Sequence, residues 1–114
     1  LVSAVSEAIS PLPLRVLFHD TRGMGTANCW AAYKAGAQTF DASIAGLGGC
    51  PFAPGAAGNV ASESVEYLFQ QAGIPLGLDR AKLEEAAYWI RFRQKKKRRQ
   101  VESSAVSYFH GVWP

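Results

Sequence analysis

Apolar and polar positions along the chain divide it into short segments. Leu1 to Ile9 places small and apolar residues at helical spacing and stops ahead of Pro11 and Pro13, which predicts a first helix. Leu14-Arg15-Val16-Leu17-Phe18 is a short, mostly apolar run and predicts a buried strand, with His19 to Gly23 as the turn after it. From about Thr26 to Ala35 the pattern is helical, with Ala27, Trp30, Ala31 and Lys34 in ridge positions, and Gly36 suits a left-handed stop. Gln38 to Asp41 predicts a second strand. Ile44 to Gly58 predicts a loop, and Asn59-Val60-Ala61 a third, very short strand. Ser62 is placed to cap a helix to about Ala72, with Val65, Leu68 and Phe69 on one face and Gly73 ending it. Asp79 is placed to cap a last helix through Leu83, Ala86, Ala87 and Ile90.

Strand and helix in alternation are the rhythm of consecutive βα units, so the expected class is α/β with parallel strands. Chemistry in such folds sits beyond the carboxyl ends of the strands. His19, Asp20, Asp41 and the glycine loop all follow predicted strands and would line one rim.

Composition narrows the classes. With 114 residues and 48% apolar content the chain suits one globular core. No apolar run reaches the roughly 18–20 residues of a membrane helix, so no membrane partner is expected. Nor does the start show a cationic lead-in to an apolar stretch. Two Cys fall short of a disulfide framework. The net charge of +3 is uneven. Seven of the 12 cations lie between Arg91 and Arg99, whereas residues 1–90 carry five Lys and Arg against eight Asp and Glu. A solvated helix end explains the basic run as well as a nucleic-acid patch does. Only Phe92 interleaves the run up to Arg99, so a nucleic-acid partner is not expected.

Three positions stand out for chemistry. His19 at a strand end suits a divalent-metal ligand, with the adjacent Asp20 able to orient it or ligate too; the other reading is a solvated turn histidine followed by an N-capping Asp. Cys50 lies in Gly46-Leu47-Gly48-Gly49-Cys50-Pro51-Phe52, where glycines leave a thiol uncrowded, whereas Cys29 sits among Ala and Trp and reads as packing. The loop lacks the ending of a P-loop and the spacing of a dinucleotide fingerprint. Asn59 suits a turn as well as a ligand role. Glu63 in a first helical turn complements the helix dipole.

Taken in order, Phe40-Asp41-Ala42-Ser43-Ile44-Ala45-Gly46-Leu47-Gly48-Gly49-Cys50-Pro51-Phe52, continued through Ala53 to Glu63, resembles the signature of the hydroxymethylglutaryl-CoA lyase family. Phe18-His19-Asp20-Thr21-Arg22-Gly23-Met24, with Ala27-Asn28, resembles that family's strand-end metal motif. The resemblance implies a (β/α)8 TIM barrel, of which this chain would be the C-terminal part, about three βα units. It also implies metal-dependent retro-Claisen cleavage of 3-hydroxy-3-methylglutaryl-CoA to acetyl-CoA and acetoacetate, the step of leucine degradation and ketone-body formation, or of a related hydroxyacyl-CoA. Its implied cofactor is a divalent metal, Mg²⁺ or Mn²⁺, held by His19 and Asn59. Of the implied catalytic residues, Cys50 would be the loop cysteine that closes over the acyl group and Glu63 a supporting polar residue, with Gly46, Gly48 and Gly49 the substrate loop and an acyl-CoA the partner. The implied compartment is bacterial cytoplasm or mitochondrial matrix.

The family pattern is His-x-His, and Leu17 stands where its first histidine belongs. The family's first-strand Arg-Asp pair is absent, and a TIM barrel needs about 250 residues. An isolated chain is therefore expected to be inactive, with a non-catalytic remnant or interaction protein as the other reading. Unpaired strand edges would permit a homo-oligomer. The resemblance stops at about Trp89, which divides the chain into a partial lyase domain, 1–90, and a basic tail, 91–114. The abrupt change in composition there suggests a truncated or frame-disturbed product.

Overall fold

In the computed structural model of the chain, residues 1–49, 52 and 57–94 are described. Cys50 and the basic run from Lys95 onward fall outside them. Helix α1 spans Val2–Ile9 and buries no residue fully. Strand β1, Arg15–Leu17, is followed by a 3-10 turn, Thr21–Gly23, and helix α2, Gly25–Lys34. Strand β2, Thr39–Asp41, leads into a second 3-10 turn, Ile44–Gly46. Helices α3, Ser62–Gln71, and α4, Arg80–Arg93, complete the described residues. Gly36, at φ +99, and Gly73, at φ +76, take the left-handed conformations expected beyond the ends of α2 and α3.

β1 and β2 are parallel, with Arg15 opposite Thr39, Val16 opposite Phe40 and Leu17 opposite Asp41. The expected α/β class with parallel pairing therefore holds. The expected third strand does not form as a ladder. Past Leu17 and Asp41 the residues around Val60 bridge to the continuations of both strands: His19 with Asn59 antiparallel, and Ser43 with Ala61 parallel. The Val60 N–H donates to the Phe18 carbonyl at 2.9 Å, and the Val60 carbonyl accepts from the Ser43 N–H at 3.1 Å. Three residues cannot extend a ladder in both directions, so the segment acts as a wedge at the strand ends.

Alternation along the strands separates two faces. Phe18, Phe40 and Ala42 pack on a core of Cys29, Val60, Val65 and Phe69. The Phe69 ring meets Tyr33 edge-on at 5.3 Å and Phe40 at 5.2 Å. On the opposite face lie Arg15, Leu17 and His19 along β1 and its continuation, and Thr39, Asp41 and Ser43 along β2 and its continuation. This face is open: Leu17 is 49% exposed, and Arg15 meets Asp41 across it at 3.5 Å.

Two expectations are corrected. The residues α2 turns inward are Gly25, Cys29 and Ala32, so the ridge of Ala27, Trp30 and Ala31 is not its core face. Small side chains let α2 approach Val60, where a β-carbon on Gly25 would lie 2.9 Å from the valine. The cap position of α3 is Ala61, with Ser62 already helical, because the bridge to Ser43 holds Ala61 extended. Asp79 caps α4 as expected, its carboxylate accepting from the Lys82 N–H at 3.2 Å.

Burial pushes the Cys29 thiol above its ordinary pKa, and the Asp20 carboxylate adds to the shift. The native fold thus disfavours the thiolate. This contribution to stability is intact below the ordinary thiol range and fades as pH rises through it. Alkylation at about pH 8 should label Cys29 far more slowly in the native chain than in the urea-unfolded chain. Peptide mass spectrometry resolves this site from Cys50, and equal rates at Cys29 would contradict the packing.

Candidate functional site at the strand ends

His19 and Asn59 come from distant parts of the chain and meet directly. The Asp20 N–H donates to the Gly58 carbonyl at 2.9 Å, and the Val60 N–H to the Phe18 carbonyl. The residues flanking the pair make these bonds, so His19 and Asn59 form the closer, non-hydrogen-bonded type of antiparallel pair. Side chains in such a pair leave on the same face, with β-carbons roughly 4.5–5.5 Å apart. That face is the open one.

The glycine loop folds onto Asn59. The Asn59 Nδ2 donates to the Leu47 carbonyl at 2.8 Å, which leaves Oδ1 as the free end of the amide. A β-carbon on Gly48 would strike that Nδ2, and one on Gly58 would overlap the Gly46 carbonyl oxygen. The glycines are thus explained by close backbone approach. Gly49 meets nothing within 4 Å and is exposed.

Glu63 reaches the same loop from the first turn of α3. Its Oε2 accepts from the Ala45 N–H at 3.1 Å, and its Oε1 pairs with the Arg91 Nη2 at 2.5 Å. Ala45 is buried and left-handed at φ +57, a conformation that costs a non-glycine residue about 1 kcal/mol. Asp20 has a structural task, since its Oδ1 accepts from the Gly25 N–H at 2.9 Å at the start of α2.

The structure therefore gathers His19, Asn59, Gly46, Gly48 and Glu63 around the ends of β1 and β2. Arg91 was missed by the sequence reading, which assigned it to the solvated basic run. A signal existed: Leu83, Ala87 and Arg91 are spaced by four, and Ala87 is fully buried, so Arg91 falls on the inward face of α4. A shallow cavity of about 600 Å³, lined by Lys82, Glu85, Tyr88 and Trp89, lies elsewhere on α4. Among the described residues no three His, Cys, Asp or Glu side chains converge as a metal site, and no helix is long and apolar enough to cross a membrane.

A parallel βα pair with polar groups at its carboxyl ends is the arrangement that sites of α/β proteins share, in barrels and open sheets alike. A family model described as HMGL-like matches residues 1–90. The chain belongs to this family, a family of TIM barrels. It is 41% identical over 90 residues to (R)-citramalyl-CoA lyase of Chloroflexus aurantiacus, and 43% identical over 90 residues to the mitochondrial hydroxymethylglutaryl-CoA lyase of Macaca fascicularis. Each match takes in 79% of this chain and 28% of the relative. The solved HMG-CoA lyase of Acinetobacter baumannii, in complex with coenzyme A and 3-methylmalate, superposes with a TM-score of 0.72 at 46% identity, over 79% of this chain and 30% of that one. The chain thus spans less than a third of the length of these relatives. The family model covers residues 1–90 and leaves 91–114 unmatched. The expectation of a C-terminal barrel portion, about three βα units, is not carried by these matches, which show part of an HMGL-like barrel.

Proposed function

We propose that this chain carries part of the active site of a carbon–carbon lyase that cleaves a 3-hydroxyacyl-CoA by a retro-Claisen step. The favoured substrate is 3-hydroxy-3-methylglutaryl-CoA, giving acetyl-CoA and acetoacetate. The single observation behind this reading is the facing pair of His19 and Asn59 at the strand ends, with the glycine loop laid against Asn59. Similarity to the Chloroflexus enzyme favours a substrate class wider than one acyl group.

The free amide oxygen of Asn59 suits a hard divalent cation such as Mg²⁺ or Mn²⁺, and the His19 imidazole, a borderline donor, would be its second ligand by resemblance. Leu17 offers no donor, and the Asp20 Oδ1 is engaged with Gly25, so this chain fills only part of such a shell. When bound, the cation supplies polarisation of the substrate hydroxyl and carbonyl oxygens. The protein's own share is orientation. Asn59 is fixed by the Leu47 carbonyl, and Glu63 holds the loop that would shut water away from the enolate. Cys50 enters by resemblance as the loop cysteine near the acyl group. Residues 91–114 enter as a basic tail to the 1–90 lyase portion, although α4 itself continues to Arg93.

With 3-hydroxy-3-methylglutaryl-CoA and Mg²⁺ the isolated chain should release no acetyl-CoA above buffer, because its ligand set is incomplete. Mn²⁺ should still bind weakly and broaden the amide resonances of His19 and Asn59. Failure of Mn²⁺ to affect either residue would favour a second reading, a non-catalytic remnant, to which Leu17 already points. Turnover matching a complete lyase would overturn the predicted inactivity.

A further inference from the structure

We propose that Arg91 is a positioning residue of this site: its guanidinium fixes the Glu63 carboxylate, which in turn fixes the Ala45 N–H and holds the Ala45–Gly48 loop against Asn59. The inference deepens the lyase reading and rests on it for its meaning in catalysis.

The contacts run through three elements without a gap. Arg91 stands in the last turn of α4 and meets Glu63 Oε1. The Glu63 side chain is only 9% exposed, and its second oxygen takes the Ala45 N–H. Ala45 at φ +57 and Gly46 at φ +68 turn the loop back, so that the Leu47 carbonyl accepts from both the Ser43 hydroxyl and the Asn59 amide. The orientation of Asn59 thus depends on a loop whose entry is a strained residue held from outside. A carboxylate this buried, with one backbone donor only, would carry an uncompensated charge. Arg91 supplies the second partner and, with it, the direction in which the carboxylate points. As a mere cation at a helix C-terminus it would be interchangeable with other cations and indifferent to the loop.

The test uses the full chain and amide hydrogen exchange by NMR. In Arg91→Met the Ala45 amide should exchange about tenfold faster, and the Asn59 side-chain amide resonances should move, while the Phe69 amide in the core keeps its rate. In Arg91→Lys, which keeps the charge and the helix, part of the Ala45 protection should return. Unchanged Ala45 exchange in Arg91→Met overturns the proposal. So does an equal acceleration at Phe69, which would mean a general loss of stability. If Arg91→Met does not fold, Arg91→Lys decides alone: a selective change at Ala45 and Asn59 supports positioning, and none refutes it. Mn²⁺ broadening at His19 in the unsubstituted chain reads out the site separately. Its absence beside a responsive Ala45 would sink the lyase reading and leave the contact chain standing.

Discussion

Grafted into the Acinetobacter baumannii lyase in place of the matching segment, residues 1–90 will leave that enzyme without measurable cleavage until Leu17 is changed to histidine. The host supplies the remaining 70% of its own chain. What it cannot supply is a donor at the end of β1. Leu17 leaves the strand on the same face as His19, two residues on, and is half exposed there, so a side chain at this position is directed at the site. An imidazole can bind a cation and carry a proton, whereas an isobutyl group does neither. Removing a group with both roles costs on the order of 10³-fold or more in turnover. Acetyl-CoA release by the unsubstituted and Leu17→His grafts gives the ratio. Equal activity in the two would show that the position is not used. No activity in either would mean that other departures in this segment disable the site.

The second large effect is on stability. Gly58→Ala should destabilise the chain by about 3 kcal/mol, because the added carbon meets two backbone carbonyls that no side-chain rotation can move aside. The Gly46 and Gly48 oxygens can retreat only if the loop lifts off Asn59. Gly36→Ala is the control, since nothing lies within 4 Å of its added carbon. That change carries only the strain of φ +99, about 1 kcal/mol. Urea unfolding of both variants makes the comparison. A cost for Gly58→Ala no greater than for Gly36→Ala would disprove the close approach of the loop.

Much of the local structure was legible because local rules decide it. The stripe of Val65, Leu68 and Phe69 turns to the core as its spacing requires, and Asp79 caps α4 through a bond to a neighbour three residues on. The parallel pairing of β1 and β2 followed from the alternation of strands with helices. What failed was decided by distant partners. Ser62 has good capping chemistry, but the bridge from Ala61 to Ser43 sets where α3 begins. On α2, Cys29 was legible as packing, but Gly25 and Ala32 beside it were not, because the close approach of Val60 favours small residues over the larger ridge. Arg91 was hidden in a run of like charges, where composition outweighed its spacing from Ala87. At the site itself, His19 and Asn59 were legible as residue types. That they form one facing pair depends on two hydrogen bonds between stretches far apart in the chain.

This facing pair also links assembly to readiness. About forty residues separate its members, and neither side chain has its partner until the Val60 wedge has seated between the strand ends. A small molecule or ion that grips both groups closes that long loop and rewards the seated state alone. Occupancy would therefore act on this chain as a reversible cross-link, strengthening the fold in proportion to how tightly the ligand is held.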